Sequence, residues 1–222
     1  MLSCYQMKTM RLFLAVAGNM GAGKSTLTRI LAERLGGKAF FEPVAENPYL
    51  ADFYKDMNRW AFHSQLFFLS KRLQDHSKLL EQKDGILIQD RSLYENAEVF
   101  AKNLYERGAI TERDWKIYWE IYETAVKLLA PPDLIIYLEA SVPALINRIA
   151  SRGRDFEQKI DPNYLADLNR LYNEWAKNFS LAPVLTIPTD DLNYIDHEDK
   201  REYIVKLISE KLGGLPTSLW QK

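Results

Sequence analysis

Apolar residues in this chain gather in five short runs, separated by longer stretches with helical periodicity. The runs are RLFLAVA (11–17), KAFF (38–41), GILIQ (85–89), DLIIYLE (133–139) and PVLTI (183–187). None alternates strictly between apolar and polar, which suits strands buried on both faces of a parallel sheet. The stretches between them read as helices. STLTRILAERL follows the first run. SVPALINRIASRG opens on Ser141 as a cap, carries Pro143 in its first turn and stops at Gly153. DPNYLADLNRLYNEWAKNF repeats that start with Asp161 and Pro162. Strands alternating with helices predict an α/β fold, a five-stranded parallel sheet with helices on both faces.

Composition narrows this picture. The chain has 222 residues, 47% of them hydrophobic, which fits one domain over 1–222 with a mobile lid at about 148–160. The formal net charge is −1, so no global field draws in nucleic acid or an anionic membrane. No stretch has the ~18 uninterrupted apolar residues of a membrane span. The opening MLSCYQMKTMRLFLAVAG reads as a short tail leading into a first strand, not as a signal peptide. One cysteine, Cys4, precludes a disulfide within the chain and points to a reducing, cytoplasmic setting. His63, His76 and His197 show no metal-ligand spacing and read as surface or helix-face residues.

The most specific single signal is GNMGAGKST, running through Gly18, Asn19, Met20, Gly21, Ala22, Gly23, Lys24, Ser25 and Thr26. It lies between a predicted strand and a predicted helix. There its backbone N–H groups and the helix terminus can cradle phosphate oxygens. Lys24 would reach the β- and γ-phosphates and Ser25 would ligate Mg²⁺. A nucleoside triphosphate is therefore expected. A nucleotide switch remains open on this motif alone, although the chain has no Asn-Lys pair for an N-K-x-D guanine reader.

A phosphotransferase needs a carboxylate at its acceptor hydroxyl. Glu42 is the candidate, because KAFF begins like a buried strand and ends on that acid, held by Pro43. The second strand is expected beside the first, opening onto the γ-phosphate. ILIQDRS ends a strand on Asp90, an acid suited to Mg²⁺ directly or through water. Gln65 and Arg72 are seven residues apart, on one helix face about 10 Å apart. Arg148 and Arg152 share a helix face, with Arg154 just beyond Gly153. The ordinary reading of such arginines is a solvated face. In a phosphate-transfer enzyme they form a lid whose guanidinium forks grip phosphate.

GNMGAGKST, FEPV, RWAFHSQ, DRSLYENAEVF, NRIASRGRDFEQKIDPNY and PVLTI, in that order, resemble the deoxyribonucleoside kinase family along nearly the whole chain. The bacterial deoxyadenosine, deoxyguanosine and deoxycytidine kinases look most similar. The resemblance implies a P-loop kinase fold and transfer of the γ-phosphoryl of ATP to the 5′-hydroxyl of a deoxynucleoside. It implies Glu42 as general base, Arg91 beside it, and Gln65 and Arg72 on the base. It also implies Phe100 stacking on the base, and Tyr54 with Glu157 at the 3′-hydroxyl. Tyr164 matches a further family position. On one straight helix Tyr54 and Gln65 would be about 16 Å apart. A break near KDMN is therefore expected, with Asp56 or Asn58 capping a helix that starts at Arg59 and brings Trp60 and Phe62 near the sugar and base.

Asn96 departs from the family pattern, which usually has aspartate there in cytosine- or adenine-preferring members. Asparagine both donates and accepts and carries no charge. With Arg72 occupying the room of a thymine methyl, purine deoxynucleosides are favoured and deoxycytidine comes next. WKIYWEIYETAVKLL carries a helical apolar stripe, either core or subunit interface, and the resemblance implies a homodimer. A nucleoside monophosphate kinase is the nearest rival reading.

Overall fold

The computed structural model describes residues 11–41, 46–153 and 160–214. Five strands, β1 (Arg11–Gly18), β2 (Lys38–Phe40), β3 (Gly85–Asp90), β4 (Leu134–Glu139) and β5 (Val184–Pro188), form one parallel sheet in the order β2-β3-β1-β4-β5. Side chains alternate between two cores, as pleating requires. Phe13, Ala15 and Ala17 of β1 face one core, and Leu14 and Val16 face the other.

Among the described residues, helices cover both of these faces. Helices α1 (Lys24–Leu35), α7 (Val142–Arg152) and α9 (Glu198–Lys211) pack on the Leu14 side through Leu27, Leu31, Leu145, Ile149, Ile204 and Ile208. On the Phe13 side lie α3 (Met57–Leu80), α6 (Glu112–Leu128), α8 (Pro162–Asn178) and the segment from α4 (Leu93–Glu95) to α5 (Lys102–Glu106). A π-helical stretch, Asn96–Ala101, joins α4 to α5. Helix α7 starts and stops as expected. Ser141 accepts from the Ala144 N–H at 3.3 Å, and Gly153 turns left-handed at φ 69°. Asp161 caps α8 by accepting from the Asn163 N–H at 2.9 Å.

The sheet corrects two expectations. The second strand does not lie beside the first: β3 stands between them. Nor is β2 buried, since Lys38 is exposed, Ala39 and Phe40 are half-buried, and Phe41 is 45% exposed. The reason is apolar supply. GILIQD and LIIYLE are buried almost throughout and occupy interior places, while the shorter β2 and the half-buried β5 serve as edges. His76 is also not a surface histidine. It is fully buried on α3, with Nε2 2.8 Å from the Ala130 carbonyl and its ring edge-on to Phe13.

The break near KDMN is present. Helix α2 (Leu50–Lys55) ends one residue before Asp56, whose carboxylate accepts from the Arg59 N–H at 3.1 Å. The new helix begins at Met57, two residues before the expected Arg59, because Asp56 rather than Asn58 is the cap.

Candidate active site

The loop after β1 is shaped by backbone that only glycine accepts readily. Gly23 sits at φ 97°, and a Cβ there would meet the Tyr194 hydroxyl at 2.1 Å. Lys24, 7% exposed, folds back so that Nζ donates to the Asn19 carbonyl at 2.9 Å. Ser25 Oγ is 2.5 Å from Asp90 Oδ2, and Asp90 Oδ1 is buried without a hydrogen-bond partner among the described residues. A hydroxyl against a carboxylate, with one carboxylate oxygen unsatisfied, is a hard oxygen donor set that fits Mg²⁺.

A cavity of ≈ 680 Å³ opens on this loop. Gly21 to Thr26 form one wall, Arg148 and Arg152 of α7 a second, and residues 190–195 after β5 a third. Arg148 is anchored, donating to Thr189 Oγ1 at 3.1 Å and to the Thr189 carbonyl at 2.5 Å, while Arg152 is exposed at the rim. The nine loop residues therefore divide. Gly21 to Thr26 line the cavity, whereas Gly18, Asn19 and Met20 face the other way. The Asn19 amide donates to the Leu165 carbonyl at 3.0 Å and to Asn169 at 2.7 Å, both on α8. Met20 meets the Tyr54 hydroxyl, with Sδ 3.7 Å from it.

On the far side of β3 the chain makes a strained turn. Arg91 is the one non-glycine residue with positive φ (69°) among the described residues, and its N–H donates to the Val16 carbonyl at 2.9 Å. Such a conformation costs roughly 1–3 kcal/mol and persists where neighbours enforce it. Arg72 supplies part of that enforcement, donating from Nη1 to the Arg91 carbonyl at 3.0 Å. The Arg91 guanidinium lies 4.3 Å from the Phe100 ring centroid. Ser92 and Glu95 then form a capping box that starts α4.

The structure brings Arg72, Arg91, Asn96 and Phe100 together, each at most 8% exposed. Asn96 and Phe100 stand on the π-helical stretch, a local form often found at functional positions. Arg72 Nε approaches Asn96 Oδ1 at 3.5 Å, and the Asn96 amide donates to the Tyr118 hydroxyl at 3.0 Å. An arginine only donates, so the carbonyl end of Asn96 must face it. Burial raises the Tyr118 hydroxyl's pKa above its ordinary value and keeps it protonated. Gln65, two helical turns before Arg72 on α3, is 4% exposed, with Oε1 unpartnered among the described residues. Trp60 stacks on Tyr49 at 5.7 Å, and Phe62 packs against the Phe13-side core. Tyr164 is buried beneath the Arg107 guanidinium. Glu42, Arg154 and Glu157 lie outside the described residues.

Sequence reading missed Glu95, Tyr172, Asn169, Tyr194 and Tyr118. Glu95 carried a local signal, the S-x-x-E spacing from Ser92. The others touch the site only through tertiary contacts, and no spacing announces them.

A parallel sheet with a phosphate loop after β1, a carboxylate at the end of β3 and arginines over the loop defines a P-loop kinase fold. The chain belongs to the deoxynucleoside kinase family, whose model matches residues 14–212, and it is accordingly a phosphotransferase. It is 38% identical over 198 residues to the deoxyadenosine/deoxycytidine kinase of Bacillus subtilis, covering 88% of this chain and 91% of that one. It is 34% identical over 221 residues to the deoxyguanosine kinase of Lactobacillus acidophilus, covering 94% and 95%. The structure of deoxyadenosine kinase from M. mycoides with bound dCTP superposes with a TM-score of 0.77 at 31% identity, over 90% of this chain and all of that one. The rival monophosphate-kinase and switch readings give way to that membership. Among the described residues no helix is long and apolar enough to cross a membrane.

Proposed function

We propose that the enzyme, a single kinase domain with its lid at about 148–160, transfers the γ-phosphoryl of ATP to the 5′-hydroxyl of a deoxynucleoside. The acceptor is a purine deoxynucleoside first and deoxycytidine next, and the reaction serves nucleotide salvage in the cytoplasm. The observation that carries this reading is the buried cluster of Arg72, Arg91, Asn96 and Phe100, directly beyond the strand end that holds Asp90 against Ser25. A polar cluster so enclosed, beside a phosphate loop, suits a neutral acceptor with one flat face.

Each side chain has a task. Lys24 and the loop N–H groups hold the triphosphate, and Arg148, Arg152 and Arg154 draw the transferring phosphoryl group into line from the lid. Ser25 and Asp90 would hold Mg²⁺, which supplies charge neutralisation between the phosphates. Glu42 accepts the proton of the 5′-hydroxyl as that oxygen attacks, with Arg91 orienting both. Phe100 stacks on the base, while Gln65, Arg72 and Asn96 meet its edge. Tyr54 and Glu157 hold the 3′-hydroxyl. A neutral amide at position 96 gives no ionic preference for an exocyclic amino group, which supports admitting both kinds of purine. Relatives named for deoxyadenosine and for deoxyguanosine support the same breadth.

A homodimer completes the proposal. Ile117, Ile121 and Leu128 of α6 are 49%, 38% and 78% exposed, and Ile121 and Leu128 line a groove of ≈ 510 Å³ together with Leu73 of α3. Leu128→Glu should turn the dimer into a monomer in light scattering.

The functional test is steady-state phosphorylation of deoxyadenosine, deoxyguanosine, deoxycytidine and thymidine with ATP–Mg²⁺, in wild type and Glu42→Gln. Turnover of a purine deoxynucleoside, falling at least ~10²-fold in the variant, is the expected result. Thymidine as the preferred acceptor, or unchanged turnover in Glu42→Gln, would overturn it.

A further inference from the structure

Glu95 is fully buried, and three donors converge on its carboxyl group. Gly18, first residue of the phosphate loop, donates its N–H to Oε2 at 3.1 Å, and Ser92 donates its N–H to Oε1 at 2.9 Å. The third is the Tyr172 hydroxyl, 2.5 Å from Oε2. That hydroxyl also lies 2.8 Å from the Gly18 carbonyl, and Arg91 Nη1 donates to it at 3.4 Å. One oxygen atom thus stands within reach of the phosphate loop, the strained turn and the buried acid.

The ring behind that oxygen is fixed as well. Tyr172 stacks flat on Tyr137 of β4 with centroids 5.4 Å apart, and meets Phe100 edge-on at 5.9 Å. Phe100 in turn lies under the Arg91 guanidinium. The helix carrying Tyr172, α8, follows the lid in the chain. One turn earlier on α8, Asn169 accepts from the Asn19 amide and donates to the Ala140 carbonyl at 2.8 Å. Two successive positions on one face of α8 therefore grip the phosphate loop at Gly18 and Asn19.

We propose that Tyr172 is a positioning residue, acting with Glu95. Its hydroxyl holds the entry of the phosphate loop and the Arg91 side chain in a fixed relation, so that donor phosphate and acceptor hydroxyl meet in register. The inference rests on the acceptor-side role proposed above for Arg91. Tyr172 touches neither substrate; its effect reaches the reaction through Arg91 and Gly18.

The test uses the full chain with ATP–Mg²⁺ and its best deoxynucleoside, comparing wild type, Tyr172→Phe, Arg91→Lys and the double variant. Tyr172→Phe keeps the stacked ring and removes only the hydroxyl, so folding is preserved and is checked by thermal melting. Misplaced reacting groups lower kcat more than KM. The expected result is therefore a fall in kcat of about tenfold with KM for the nucleoside within about threefold. The double variant should lose little beyond Arg91→Lys alone, because the two residues act as one unit. Glu95→Gln should reproduce the kcat fall. A folded Tyr172→Phe with wild-type kcat, or losses that multiply in the double variant, would overturn the inference while leaving the kinase reading intact. A wild type that phosphorylates no deoxynucleoside would overturn that reading and this inference with it.

Discussion

The two walls of the proposed site, one for the donor and one for the acceptor, are built on opposite plans. The donor wall is mainly backbone: six consecutive residues, Gly21 to Thr26, whose glycines let N–H groups converge, completed by arginines that lean in from α7. The acceptor wall is side chains alone, drawn from α2, α3, the turn after β3 and a π-helical stretch. They are held at a few ångströms by hydrogen bonds such as Arg72 to the Arg91 carbonyl and Asn96 to Tyr118. A backbone cradle takes any nucleoside triphosphate of suitable shape. A side-chain wall can be retuned one residue at a time. The contrast teaches where tolerance and where selectivity reside in this enzyme.

The contrast breaks most severely through Lys24. Lys24→Ala removes the one side-chain charge of the cradle and should lower kcat/KM by ~10²–10³-fold for every acceptor alike, read by steady-state kinetics across the nucleoside panel. If the loss varied strongly with the base, the walls would not be separable. On the acceptor side, Asn96→Asp should act on selectivity and hardly on the reaction itself. A carboxylate accepts from an exocyclic amino group with charge assistance. The ratio of deoxycytidine or deoxyadenosine to deoxyguanosine turnover should therefore rise about tenfold. An unchanged ratio would remove Asn96 from the base-reading set.

Two further changes test what supports the walls without touching either. Burial pushes the His76 imidazole below its ordinary pKa, the Ala130 carbonyl opposes this, and Arg11 adds to the lowering. The unfolded chain therefore takes up a proton near pH 6.5 that the folded one resists. Stability from this group is complete above about 6.5 and lost as pH falls towards the lowered folded value. The unfolding midpoint in urea should drop between pH 7 and pH 5, and His76→Phe should flatten that slope. Last, Asp56→Ala removes the cap at the α2–α3 break, costing ~1 kcal/mol, or about 2–4 °C in melting temperature for a chain of this length. A larger rise in the nucleoside KM than in the ATP KM would tie that break to the acceptor wall.

The donor wall was legible in the sequence because its chemistry is contiguous: strand, glycine loop and helix follow one another, and each local rule agrees. The helix ends were legible for the same reason, as Ser141, Gly153 and Asp161 act through neighbours in the chain. Sheet order was not. KAFF looks as apolar as the interior runs, and only its brevity and the exposure of Lys38 and Phe41 show it to be an edge. On the acceptor side, resemblance to a family picked out Arg72, Arg91, Asn96 and Phe100, which the fold does bring together. The residues that hold them, Tyr118 and Tyr172, could not be read. Each acts through one hydroxyl across a long sequence separation, 22 residues from Tyr118 to Asn96 and 81 from Tyr172 to Arg91.

The central claim is that the two walls meet at a 5′-oxygen. The direct measurement follows γ-³²P-labelled ATP in the presence of deoxyadenosine or of 2′,5′-dideoxyadenosine, which differs only in lacking that oxygen. The account predicts labelled nucleoside monophosphate from the first and none from the second, with the analogue inhibiting the reaction of the first. Labelled nucleotide from both, or label appearing only as inorganic phosphate, would contradict it.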